Sequence, residues 1–127
     1  MEYKDLNTKL LEAFPELKDA FEDETSWQEG INTGCTVVYE DVFMPYVKEA
    51  ITKKDETIIA RIFDFIESLT LIDDEYTKQL LMICIFDNLV FFDDEIDYKK
   101  WFRPKSLDLF NKSRDEWYTN HTIIKIL

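Results

Sequence analysis

Apolar side chains recur every three or four residues along most of this chain, the spacing that gathers them on one face of an α-helix. Such stripes run through residues 6–14, 42–51 and 58–69, and residues 80–86 are apolar without interruption. Because a helix that is apolar on every side is buried, we expect residues 80–86 to be the most buried segment. Pro45 starts or kinks the second stripe. The pattern predicts an all-α protein.

A repeat of twenty residues divides the middle of the chain. Residues 63–75 align with residues 83–95, and both segments end in Asp-Asp-Glu. Aspartate at an N-cap accepts hydrogen bonds from unpaired backbone N–H groups, and acids in a first turn oppose the helix dipole. These two runs, together with the Asp55–Glu56 pair, therefore predict helix starts. Helices ~20 residues apart form antiparallel hairpins, which stack in solenoids.

The remaining signals complete a prediction of five or six helices in a single helical domain, 1–127. Pro104 suits the first position of a last helix. Residues 35–39 follow the two glycines and are compatible with a short extended piece. The antiparallel hairpins either stack as a short solenoid or form an irregular bundle. A chain of 127 residues is the usual size of one domain.

The cysteines and the N-terminus indicate the compartment. With only Cys35 and Cys84, a disulfide scaffold is excluded and at most one bridge can form; Cys84 has apolar neighbours, whereas the two glycines near Cys35 leave its exposure open. The first residues lack the basic start and apolar run of a signal peptide. No apolar run approaches the ~20 residues that cross a bilayer. We expect a reduced cytoplasmic protein.

The charge is strongly negative and unevenly distributed. The formal net charge is -12 and the sequence pI about 4.4, which argues against binding nucleic-acid phosphates or anionic lipid. Residues 1–75 contain 19 acids and 7 bases, whereas residues 76–127 contain 8 of each. The excess negative charge therefore belongs to the first part of the chain. It either keeps the protein soluble or meets a positively charged partner.

The sequence contains no recognisable catalytic or metal-binding motif. His121 is the single histidine and has no nucleophile signature beside it. Asp93, Glu95 and Asp97 have calcium-loop spacing, but Tyr98 stands where that loop requires glycine. We expect neither an enzyme nor a cofactor or metal. Asp64, Glu67 and Asp87 interrupt apolar helices and are expected to be solvated or paired with arginine.

The charge distribution and the aromatic residues select a candidate partner-binding site. Trp and Tyr dominate interface hot spots, so we predict Trp27 and Tyr39 as anchors, with Trp101 and Phe102 as a second choice. Seven acids are predicted to make electrostatic contacts: Glu22, Asp23, Glu24, Glu40, Asp41, Asp73 and Asp74.

Two segments carry a family resemblance. Residues 38–47 (Val-Tyr-Glu-Asp-Val-Phe-Met-Pro-Tyr-Val) and 61–69 (Arg-Ile-Phe-Asp-Phe-Ile-Glu-Ser-Leu), followed by 73–76, resemble small acidic helical immunity proteins of bacterial polymorphic and contact-dependent growth-inhibition toxin systems. The resemblance extends over about residues 38–92. It implies a cytoplasmic protein that binds a cognate toxin domain, often a tRNase or DNase, and blocks its active site.

Three other functions remain open at this stage. A helical adaptor would bind a peptide or protein through an apolar groove, and its binding would be insensitive to salt. An acidic DNA mimic would need carboxylates spaced like duplex phosphates. A metal-dependent enzyme would use the acidic clusters and gain thermal stability from divalent cations.

Overall fold

The computed structural model describes residues 2–26, 30–90 and 98–113, and within these ranges it contains six α-helices and no strand. Helix α1 spans Tyr3–Ala13, and a 3₁₀ turn at Pro15–Leu17 leads into α2, Lys18–Thr25. A second 3₁₀ turn, Gly30–Asn32, is fastened to α1 because Asn7 donates through Nδ2 to the carbonyls of Ile31 and Thr33, at 3.0 and 2.8 Å. The predicted all-α class is confirmed.

Helix α3 contains a π-helical segment just before its proline. It consists of Cys35–Val38, the π segment Tyr39–Phe43, and Met44–Lys53. Pro45 has no N–H and its ring clashes with the carbonyl four residues earlier, so the regular i to i+4 ladder cannot continue across it. The chain widens instead, and Met44 donates its N–H to the carbonyl of Tyr39, five residues back. The extended alternative for residues 35–39 is wrong.

Helices α4 and α5 form an antiparallel hairpin whose starts are capped as predicted. Helix α4 is Glu56–Thr70, and Asp55 accepts from the N–H of Ile58 at 3.2 Å. Helix α5 consists of Glu75–Leu80, the π segment Leu81–Phe86, and Asp87–Val90. Asp74 caps it by accepting from the Thr77 N–H at 2.9 Å and the Thr77 hydroxyl at 2.7 Å. The third predicted start, at residues 93–95, lies outside the described residues.

The C-terminal part of the described chain packs on this hairpin. A 3₁₀ turn, Tyr98–Trp101, precedes α6, which comprises residues 104–113 and begins at the predicted proline. Phe102 lies edge-on to Phe63 and to Phe86, with ring centroids 5.3 and 5.7 Å apart. Phe110 continues this cluster, 5.5 Å from Phe86. The aromatic rings join α6 to the core.

Helices α3, α4 and α5 pack against one another in all three pairs, and the two π segments face each other across the core. Helix α1 lies against the start of α3, and α2 lies against the π segment of α3. Of the two predicted arrangements, this is the irregular bundle. Residues 80–86 lie in the core except for the half-buried Met82 and for Ile83, which is 52% exposed, so their predicted burial on every side is wrong there. None of the described helices is both long and apolar enough for a membrane crossing.

Candidate functional site

Two acids in α4 hold the C-terminal part of the described chain in place. The Oδ1 atom of Asp64 accepts from Arg103 Nε at 2.9 Å, which confirms the predicted arginine pairing for this residue. Glu67 is different, because it accepts from two backbone N–H groups: Oε1 from Ser106 at 2.7 Å and Oε2 from Lys105 at 3.2 Å. Its carboxylate therefore caps α6 from another helix. The sequence marked Glu67 as unusual but gave no indication of this partner.

A third structural acid, Glu16, was not singled out from the sequence. Arg61 donates to both of its carboxylate oxygens, at 2.8 and 3.1 Å, and also to the carbonyl of Ala13. The hydroxyl of Tyr46 donates to Glu16 at 2.6 Å. The Arg61 hydrogen bonds lower the pKa of Glu16 to about 2, and burial together with the Glu16 contact raises the pKa of Tyr46 to about 12. This network joins α1, α3 and α4.

Four of the predicted contact acids neither pair with arginine nor cap a helix, and we call them the acidic patch: Glu22 and Asp23 on α2, and Glu40 and Asp41 on the π segment of α3. Each is exposed, and the two elements that carry them pack against each other. In the described part of the chain, none of the four forms an ion pair with lysine or arginine. Their charges are therefore available to a partner.

The other predicted residues are distributed differently. Glu24 is half-buried. Asp73 is exposed and Asp74 caps α5; both lie on the α4–α5 connection and line a groove that α2 and α3 do not touch. Trp27 lies outside the described residues. The structure thus places four of the seven acids on two elements that pack against each other, and it places Asp73 and Asp74 on the α4–α5 connection.

Tyr39 is not an exposed anchor, and its prediction as one is wrong. The side chain is 0% exposed, with its ring centroid 5.8 Å from that of Phe43 and 6.4 Å from that of Phe65. Its hydroxyl donates to the carbonyl of Leu6 at 2.8 Å, which supplies the partner that a buried tyrosine needs. Burial raises the pKa of Tyr39 well above its ordinary value. The ring belongs to the core between α1, α3 and α4.

The second choice of anchor also belongs largely to the core. Phe102 is buried, and Trp101 is half-buried with its ring 5.9 Å from Phe63. Cys35 is buried as well, which settles the exposure that the sequence left open. Burial raises the pKa of Cys35 to about 11 and that of Cys84 to about 12. Both thiols are therefore protonated at neutral pH.

The groove lies between the α4–α5 connection and the start of α6 and has a volume of about 800 Å³. Its apolar part includes Leu71, which is 61% exposed, and the half-buried Leu109. Charged groups surround this apolar part, and they are the carboxylates Asp73, Asp74, Glu75 and Asp108 and the ammonium groups Lys78 and Lys105. Among the described residues, no three His, Cys, Asp or Glu side chains are grouped to hold a metal ion, at the groove or elsewhere.

The fold and these two surfaces together define a small acidic helical bundle. The chain belongs to the family of the domain of unknown function DUF7674, whose model matches residues 7–118. The acidic patch and the groove both fall within the matched residues. No curated protein and no solved structure matches the chain.

Proposed function

We propose that this protein is an immunity protein, which binds a cognate toxin domain and blocks it without chemistry of its own. The toxin is a basic protein, and a nuclease acting on tRNA or DNA fits best because its cleft must attract phosphates. The observation that carries the proposal is the acidic patch, where Glu22, Asp23, Glu40 and Asp41 are exposed and form no ion pair among the described residues. The resemblance of residues 38–47, 61–69 and 73–76 to immunity proteins supports the same function.

The patch differs from the other acids in what its charges already do. Asp64 and Glu16 pair with arginines, Glu67 caps α6, and Asp55 caps α4. The arginines offset the charges of Asp64 and Glu16, and Glu67 and Asp55 are engaged at helix starts. Within the described ranges, the charges of the patch have no such partner and act on an approaching molecule. A negative surface of this kind accelerates encounter with a positive partner and disfavours other negative ones.

Co-expression with the toxin encoded beside its gene tests the proposal. We expect wild-type protein to restore growth and to copurify with the toxin domain. The Asp41→Lys variant should protect less well, because it places a positive charge within the patch. The matched control is Glu12→Lys, which changes the net charge equally but at an exposed position on α1.

The choice of Asp41 avoids a structural complication. The neighbouring Glu40 raises the pKa of the Cys84 thiol, second to the effect of burial, so it lies close to the core between α3 and α5. If wild-type protein neither protects cells nor forms a complex, the proposed function is wrong. If Glu12→Lys weakens protection as much as Asp41→Lys, total charge matters and the patch does not.

A further inference from the structure

The geometry points to the groove as a second contact site of the partner, receiving one apolar side chain that is flanked by lysine or arginine. This inference rests on the proposed function, since the toxin domain would supply the side chain. It specifies a second location, away from the acidic patch, and it specifies which side chains of the partner bind there. Three features of the groove carry it: its apolar part, its charged rim and its fixed walls.

Exposed Leu71 marks the apolar part. Two large apolar side chains are exposed in the described part of the chain, Leu71 at 61% and Ile83 at 52%. A single exposed apolar residue needs no explanation, but Leu71 lies at a cavity of about 800 Å³ that the half-buried Ile72 and Leu109 also line. Ile83 lines no part of it. A central apolar contact within a polar rim is the usual arrangement of a protein interface.

The charges around the groove favour a cationic neighbour. Four carboxylates and two ammonium groups line it; because Asp74 is already engaged as the cap of α5, three carboxylates remain against the two ammonium groups. In the described ranges, Asp73, Glu75 and Asp108 form no ion pair. The N-terminus of α6, which would otherwise attract an anion, is already occupied by the carboxylate of Glu67. An apolar side chain flanked by basic residues therefore complements the groove.

The walls of the groove are held in position by hydrogen bonds within the fold. Glu67 fixes the first turn of α6 through Lys105 and Ser106. Asp74 fixes the first turn of α5 through both the N–H and the hydroxyl of Thr77. A site whose walls are already ordered loses less conformational entropy when it binds, so the groove is preorganised for a partner.

A titration followed by methyl NMR tests the inference. The probe is the peptide acetyl-Lys-Lys-Leu-Trp-Leu-Lys-Lys-amide, and its counterpart has glutamate in place of every lysine. We expect the basic peptide to cause saturable shifts at the methyl groups of Leu71, Ile72 and Leu109. The acidic peptide should cause none. Leu71→Gln should weaken binding of the basic peptide about tenfold, whereas Ile83→Gln, the matched control, should leave it unchanged.

Several results would overturn the inference. These are the absence of saturable shifts, equal binding of the acidic peptide, and equal weakening by Ile83→Gln. Concentration-dependent dimerisation that Leu71→Gln abolishes would assign the groove to a second copy of the chain instead. Circular dichroism spectra and melting curves of both variants must match those of the wild type, which their exposed positions lead us to expect.

The toxin assay separates this inference from the proposed function. If toxin is neutralised equally by wild type and Leu71→Gln, the groove is not a contact site although the proposed function stands. If no toxin complex forms at all, the proposed function fails, while the peptide titration still decides what the groove binds.

Discussion

Replacing Glu67 with alanine should destabilise the protein by freeing the start of α6. The half-buried carboxylate accepts from Ser106 at 2.7 Å and Lys105 at 3.2 Å, and alanine leaves both N–H groups without this acceptor. Loss of an N-cap costs about 1 kcal/mol, and an unsatisfied, partly buried N–H adds about 1 kcal/mol more. We therefore expect a loss of about 2 kcal/mol, which lowers Tm by roughly 6–8 °C in a domain of this size.

Urea unfolding and amide hydrogen exchange measure this effect globally and locally. Exchange of the Lys105 and Ser106 amides should accelerate about 30-fold if α6 opens more easily by 2 kcal/mol. Glu67→Gln keeps an oxygen for Ser106 but loses the second acceptor and the charge, so it should lie between wild type and alanine. Glu12→Ala, at an exposed position of α1, should change the stability by less than about 0.5 kcal/mol.

The reasoning is refuted if Glu67→Ala is as stable as Glu12→Ala. It is refuted equally if the protein is destabilised but the Lys105 and Ser106 amides exchange no faster than those of α1. In that case the two hydrogen bonds do not hold α6 in place, and the preformed wall of the groove loses its support.

Three further predictions concern the interior and its charges. The pKa of Glu16 is about 2 in the fold against 4.5 ordinarily, so the stabilisation by its carboxylate is complete above pH 4.5 and is lost as the pH falls towards 2. This stabilisation is about 1 kcal/mol, because the Arg61 pair is largely solvated. Glu16→Gln lacks it, so the Tm of this variant should depend less on pH over that range. Iodoacetamide at pH 8 should label Cys35 and Cys84 only after unfolding, as mass spectrometry would show, and rapid labelling of native protein would contradict their burial. Tyr39→Phe should lower the unfolding free energy by about 1 kcal/mol in urea, whereas an unchanged value would mean that its hydroxyl bond contributes nothing.

The helix starts were predictable because their signals are local. Asp55 and Asp74 each bind the backbone three residues ahead, and Pro104 needs only its own fixed φ to begin a helix. Apolar spacing likewise depends on neighbours within one helix. These features required no knowledge of how the helices pack, and the all-α class followed from them.

The failures have the opposite origin, because they depend on contacts distant in sequence. Tyr39 was predicted as an anchor, but its hydroxyl reaches Leu6, 33 residues away. Glu67 binds residues nearly 40 positions ahead, which no local pattern indicates. Ile83 faces solvent because α5 packs against α3 and α4 with only one of its sides. An uninterrupted apolar run does not indicate which of its residues lies on the opposite, exposed side. The seven acids were predicted as one group of contacts, and only the three-dimensional structure separates Asp73 and Asp74 from those on α2 and α3.

The rate of association with the toxin domain at two ionic strengths tests the central claim most directly. We predict that wild-type protein associates at least about tenfold faster at ~20 mM salt than at ~300 mM, since screening shortens the reach of the patch. Asp41→Lys should associate more slowly at low salt and approach the wild type at high salt, while Glu12→Lys should follow the wild type throughout. A wild-type rate that is the same at both salt concentrations would contradict an electrostatic role for the patch and favour an adaptor that binds through apolar contacts.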